Sequence, residues 1–225
     1  MDKDISSRIL LPFFLLLLPG CRGYVNWGGC PWHHRQEVVD QIQEGRQYAQ
    51  SVAVYDRYSA RIIFDAIPLA DQVRGAYACM VADRYGRSEN WLATELRKQL
   101  EKNTRYINFY VLTLRERPFS DRCGTWMPRL KVDDKEYEPC EIRAVEMPLE
   151  YKHILGPRYT RFKVAYEMVF EARRDDGSPV LDAAATRLTL LFKSADKEVP
   201  MEWRVGMDGI TFGDTRVVEG ERQCV

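Results

Sequence analysis

Between Tyr159 and Ala172 the chain alternates with a period of two. Phe162, Val164, Tyr166, Met168 and Phe170 stand between Arg161, Lys163, Ala165, Glu167 and Glu171. An extended strand puts each set on its own face, whereas a helix would scatter both. One face is then buried and the other wet, the pattern of an antiparallel sheet. The neighbouring stretches extend this commitment to β structure. Arg174-Asp175-Asp176-Gly177-Ser178-Pro179 is a turn cluster. Thr186, Leu188, Leu190 and Phe192 form the next strand, with Arg187, Thr189 and Lys193 outward, and Asp196-Lys197-Glu198 turns the chain again. Met201, Trp203 and Val205 close the sheet, and residues 206–225 add one strand or an irregular tail.

Upstream, Ile107, Phe109 and Val111 alternate with Tyr106, Tyr110, Leu112 and Leu114. Both faces are apolar, so this is a central, covered strand. Trp126, Leu130 and Val132 make another, in which Pro128 marks an edge or a bulge. Asp133-Asp134-Lys135 is a turn, and Ile142, Val145 and Met147 make a return strand ended by Pro148.

Helical patterns precede the strands. Residues 36–50 carry Val38, Val39, Ile42 and Ala49 on one stripe, interrupted by Gly45. Residues 51–64 are β-like at their end, while their start fits helix or strand. Ala66-Ile67-Pro68 opens a helix with Pro68 in its first turn. Its apolar face is Leu69, Val73, Ala76, Tyr77, Met80 and Val81, and Gly86 stops it. Ser88 caps the next helix, with Glu89 in its first turn and Trp91, Leu92, Leu96 and Leu100 on its buried face. The pair reads as a helical hairpin over about residues 67–103. The expected fold class is α+β: an antiparallel β-sandwich-like domain of about six to seven strands, with an N-terminal helix and a helical hairpin covering one open edge or end.

The N-terminal stretch is of a different kind. Ile9 to Leu18 is apolar, and Lys3 and Arg8 precede it. It is too short for the roughly 20 residues of a spanning helix and fits the apolar region of a secretory signal. Leu18-Pro19-Gly20-Cys21 at its end resembles the lipobox of bacterial lipoproteins. The resemblance implies a diacylglyceryl group on the Cys21 sulfur, cleavage before Cys21, and acylation of the new amino group. Residues 1–20 are then a signal peptide and 21–35 a lipid-proximal tether. A helix over 36–50 and a single domain over 51–225 follow. Arg22, rather than Asp, after the cysteine resembles the pattern of lipoproteins sorted to the outer membrane. Tyr24, Trp27 and Trp32 stand beside the anchor, either at the headgroup level or tucked against the domain.

Six cysteines occur, at 21, 30, 79, 123, 140 and 224. Lipidation of Cys21 leaves an odd number, and the expected disulfide joins Cys123 to Cys140, which flank a strand pair. Lys+Arg and Asp+Glu both total 33, a balance that argues against nucleic-acid binding. No phosphate-binding glycine loop, nucleophile elbow or zinc-ligand spacing is present, so no catalytic residue, metal or cofactor is assigned. His153 is placed in a loop between strands, on the surface.

The rhythm Tyr166/Phe170, Asp176-Gly177, Leu188/Leu190/Phe192 and Glu202-Trp203 loosely resembles uncharacterised bacterial envelope lipoproteins. The expectation is a lipid-anchored envelope protein, facing the periplasm from the outer membrane. It would act as a non-enzymatic structural or binding module for another envelope component. The alternative is a periplasmic small-ligand or metal carrier, using Cys30, His33 and His34 or a pocket between helices and sheet; an enzyme of unrecognised type remains a third reading. Produced in a bacterial host, the chain is expected to lose residues 1–20, and Cys21→Ala to retain them. Intact mass of the membrane-extracted protein checks both.

Overall fold

The computed structural model describes residues 32–55, 61–114, 119, 126–206 and 209–212. The chain divides into two units, Met1–His33 and His34–Val225, and the second holds the sheets. Among the described residues there are four α-helices and nine strands. The helices are α1 (Trp32–Gln47), α2 (Asp71–Arg84), α3 (Glu89–Arg105) and α4 (Leu149–Leu155). The strands are β1 (Gln50–Tyr55), β2 (Arg61–Pro68), β3 (Tyr106–Thr113), β4 (Met127–Val132), β5 (Lys135–Tyr137), β6 (Glu141–Ala144), β7 (Val164–Glu171), β8 (Arg187–Lys193) and β9 (Glu198–Arg204). They form two antiparallel sheets, β1-β2-β3-β7-β6 and β5-β4-β8-β9. The expected α+β, sandwich-like class is therefore the observed one, with more strands than the six or seven expected.

The two sheets face each other across an aromatic core. Phe64 of β2 stacks on Phe192 of β8 at 4.4 Å and 8°, and meets Trp126 edge-on at 5.4 Å. Phe109 of β3 touches Phe170 of β7 and Trp203 of β9. Leu130, Leu188, Leu190 and Met201 complete the opposing sheet's contribution. One side of the sandwich is tied by polar groups as well. The Trp203 indole donates to the Tyr48 carbonyl at 2.7 Å, and the Gln50 amide donates to the Glu202 carbonyl.

The other face of the five-stranded sheet is also covered. Ile67, Tyr110, Leu112 and Ala165 pack against Val73, Ala76 and Met80 of α2 and Tyr151, Ile154 and Leu155 of α4. The helices thus lie on a face, not at an edge or end as expected, and the alternating strand has two dry faces. Ala165 is buried among the helix residues, and Val169 on the same face is buried too. Phe162, expected in the core, lies outside β7 and is 67% exposed, with the Arg161 guanidinium 4.8 Å over its ring.

Four local readings change for identifiable reasons. Gly45 does not interrupt α1; a Cβ there would lie 3.1 Å from Ile154 Cγ2 and 3.6 Å from Ala76 Cβ, so its smallness lets α1 approach α4 and α2. Residues 50–68 supply two paired strands, β1 and β2. Pro68 ends β2, paired with Phe109, instead of opening a helix. Helix α2 begins at Asp71 with no side-chain cap, because the Thr211 carbonyl accepts the Asp71 N–H at 2.8 Å. The carbonyl thus takes up one of the orphan donors that a capping side chain would otherwise serve. Finally, α4 and its exposed His153 occupy what reads as a loop.

Other expectations hold. Gly86, at φ +57°, closes α2 in a Schellman arrangement, with Arg87 N–H on the Ala82 carbonyl at 2.8 Å and Gly86 N–H on Asp83 at 3.2 Å. Ser88 Oγ accepts the Trp91 N–H at 3.3 Å. Strand β3 is central, and β9 alternates strictly between exposed and buried. Pro128 sits where β4 extends past β5 and pairs only with β8. Phe64→Ala removes the ring shared by both sheets, and is expected to cost about 3–5 kcal/mol in urea denaturation.

Candidate functional site

The sequence expectation for α3 is an apolar buried face. Leu92, Leu96, Gln99 and Asn103 do share one stripe, at i, i+4, i+7 and i+11. Yet the buried members are Gln99 and Asn103, while Trp91, Leu92, Leu96 and Leu100 stay partly exposed. On α2 the matching face runs Asp71, Arg74, Ala78, Ala82. The hairpin is thus apolar toward its turn and polar at its base.

Arg74 occupies that base at 3% exposure. Its Nε donates to Asn103 Oδ1 at 2.6 Å and its Nη1 to Gln99 Oε1 at 3.1 Å. Each amide passes the contact on to a carboxylate. Asn103 Nδ2 donates to Asp71 at 2.7 Å, and Gln99 Nε2 to Glu95 at 2.7 Å. A third buried amide lies on the sheet. Asn108 of β3, 8% exposed, donates through Nδ2 to Glu167 Oε1 at 2.9 Å. Arg143 of β6 holds the other oxygen of Glu167 at 3.1 and 2.7 Å. An ionised carboxylate only accepts, which fixes the Asn108 amide with Oδ1 turned away from Glu167. Among the described residues, the buried side-chain polar atoms without a partner are Arg74 Nη2 and Asn108 Oδ1.

Three tyrosines line the same seam. The Tyr77 and Tyr151 rings stack at 4.6 Å, and Tyr110 meets Tyr151 edge-on at 5.0 Å. Burial pushes the Tyr110 hydroxyl up to about 12; Glu167 raises it further and Arg74 opposes. Burial also drives Tyr151 far upward, against the pull of Arg74. For Lys102, which donates to Gln99 Oε1 at 3.4 Å, burial and then Arg74 lower the pKa while Glu95 and Glu167 raise it. Arg74 and Glu167 thus both bear on the pKa of Tyr110, Tyr151 and Lys102. Tyr110 and Tyr151 therefore stay protonated at neutral pH and act as hydrogen-bond donors.

A second buried polar cluster joins β1, β2 and the approach to β7. Asp65 accepts from Ser51 Oγ and from Lys163 Nζ, both at 2.5 Å. Lys163 also donates to the Arg158 carbonyl at 2.7 Å, and Arg158 Nε to Ser51 Oγ at 3.0 Å. Both oxygens of Asp65 are engaged by donors, and the Ser51 oxygen accepts from a guanidinium. The hydroxyl is held, not activated.

Of the residues singled out from sequence, Cys21, Cys30 and Cys123 lie outside the described residues, and so does the expected Cys123–Cys140 bridge. Cys140 is exposed, directly before β6; its thiol donates to the Val169 carbonyl at 3.2 Å, and partial desolvation of the sulfur raises its pKa. His33 and His34 lie in the first turn of α1. Among the described residues no group of three or more His, Cys, Asp or Glu could hold a metal ion. The acidic turns act locally, as expected: Asp176 Oδ1 accepts from Ser178 N at 2.8 Å and from Ser178 Oγ at 2.5 Å. Arg74, Gln99, Asn103 and Asn108 are not singled out by any sequence motif, although each interrupts an apolar pattern with a polar group. No protein-family model, no curated protein sequence and no solved structure matches the chain.

The tyrosine shifts have a measurable consequence. A group whose pKa is raised on folding contributes stability below its unfolded value, and that contribution is lost as pH rises through the folded value. Stability should therefore fall between pH 10 and about 12, from the Tyr110 shift. Urea midpoints across that range test this, and Tyr110→Phe should flatten the slope.

Proposed function

We propose that the chain is a lipid-anchored bacterial envelope protein whose α+β domain serves as a non-enzymatic structural or binding module. The observation that carries this reading is Leu18-Pro19-Gly20-Cys21 at the end of the apolar run Ile9 to Leu18. Acyl chains on Cys21 would hold the protein at the membrane, since each buried CH₂ contributes about 0.8 kcal/mol and two or three chains give stable attachment. Arg22 supports outer-membrane placement facing the periplasm. Among the described residues no helix is long and apolar enough to cross a membrane. The balanced charge supports a protein partner in the envelope rather than nucleic acid.

A second reading, a small-ligand-binding lipoprotein, is favoured by the seam beneath the hairpin, where Arg74 Nη2 and Asn108 Oδ1 are buried without partners. Metabolic labelling with a palmitate analogue tests the anchor. Wild type should take up label and Cys21→Ala should not; an unlabelled wild type ends the lipoprotein reading. Cross-linking of the anchored protein should then retrieve a specific envelope partner.

A further inference from the structure

The outer face of the four-stranded sheet carries a cavity. Glu136, Lys131, Thr189 and Glu202 stand in one row across β5, β4, β8 and β9, and Leu191 pairs with Pro200 in the next outward row. The residues that alternate with them, such as Leu130, Leu190 and Met201, belong to the core, so these rows face away from it. Lys193 Nζ contacts Glu136 of β5 at 2.8 Å and Glu198 of β9 at 3.2 Å. Those strands are the opposite edges of the sheet, so side chains from both edges converge over its face. Both glutamates also line a trough of about 430 Å³, within the range of small-molecule sites.

Thr189 and Leu191 line the same trough at 4% and 7% exposure. Among the described residues the Thr189 hydroxyl has no hydrogen-bond partner. Nor is its oxygen sealed from solvent, since the sealed side-chain atoms without partners are Arg74 Nη2 and Asn108 Oδ1. A hydroxyl is both donor and acceptor, so the trough holds an unused polar group at its buried base.

The charges around it are unequal. Asp133 and Asp134, at the turn between β4 and β5, line the trough with Glu136, Glu198 and Glu202. Lys131 and Arg187 line it too, and Lys193 bridges its edges. The carboxylates exceed the cations by two charges, which repels an anion. They are spread rather than gathered: among the described residues no group of three or more His, Cys, Asp or Glu could hold a metal ion. No lining residue is aromatic, so a planar ligand finds no ring to stack on. The lining instead matches positive charges spaced along an aliphatic body.

We propose that this trough binds a linear aliphatic polyamine. Its methylenes lie over Leu191 and Pro200, its ammonium groups meet carboxylates of the two edge strands, and one N–H donates to the Thr189 hydroxyl. The site lies on the other sheet from the hairpin seam and is independent of Cys21, so its failure leaves the lipid anchor standing.

The test uses the full chain extracted in detergent, at constant ionic strength. The probes are putrescine and spermidine; butylamine, 1,4-butanediol and magnesium chloride are the controls. A ligand that binds only the folded state raises the thermal midpoint with the logarithm of its concentration. The midpoint should rise with at least one polyamine, rise less with butylamine or magnesium, and stay flat with butanediol. Glu202→Gln, whose side chain is 54% exposed, should fold normally and weaken apparent affinity about tenfold, as expected for loss of one charge-assisted contact. Thr189→Val keeps the β-branched shape and should also weaken it. Glu101→Gln, exposed on α3, should leave it unchanged. Flat midpoints with both polyamines would overturn the proposal. So would magnesium matching spermidine at equal charge, which is screening of an acidic surface, or an undiminished response in Glu202→Gln.

Discussion

The fold depends on a sheet that must be dry on both sides. Strand β3 carries Ile107, Phe109 and Val111 toward the second sheet and Tyr110 and Leu112 toward the helices. Neither cover can be removed without exposing a continuous apolar surface, and burial of such surface is the dominant favourable term in folding. The stack of Phe64 on Phe192 joins the two sheets at the centre. On the opposite side Gly45 lets α1 close down on Ile154 and Ala76. The layers run helices, five-stranded sheet, aromatic core, four-stranded sheet.

Against that dry background the two buried polar clusters differ in kind. Asp65 and Lys163 compensate each other directly, at 3% and 9% side-chain exposure, and tie β2 to the segment that enters β7. Arg74 has no such counter-ion, and its charge is spread through amides to Asp71 and Glu95. A cluster built for stability alone gains little from this arrangement, since a buried charge with incomplete partners is outperformed by well-packed apolar groups. The same α3 face is apolar near the hairpin turn and polar only at the base. The polar groups therefore concentrate at the base of the hairpin, between its two helices.

Legibility in the sequence followed the range of the interaction involved. Strands β3, β8 and β9 and the Ser88 cap were readable because period-two alternation and capping are local. The start of α2 was misread at Pro68 because its true cap is the Thr211 carbonyl, about 140 residues away in sequence. Gly45 read as an interruption because its partner, Ile154, lies on a helix that itself reads as loop. The outward set Lys163, Ala165 and Glu167 read as wet because alternation reports polarity and cannot say what covers a face. In the candidate site, Leu92 and Leu96 suggested an apolar seam, and nothing local indicated that Gln99 and Asn103 would be the buried members.

By itself the sequence determined the α+β class, the helical hairpin and the central place of β3, because each rests on periodicity or on contacts within a few residues. It also carries the Cys21 motif, which is a covalent address independent of folding. Tertiary structure alone decided that the helices lie over a sheet face and that α2 is capped by a distant carbonyl. It alone brought Arg74 of one helix onto Gln99 and Asn103 of the next, and Asn108 onto Glu167 of a neighbouring strand. Those outcomes depend on which surfaces meet, and no periodicity within a single element encodes its partner.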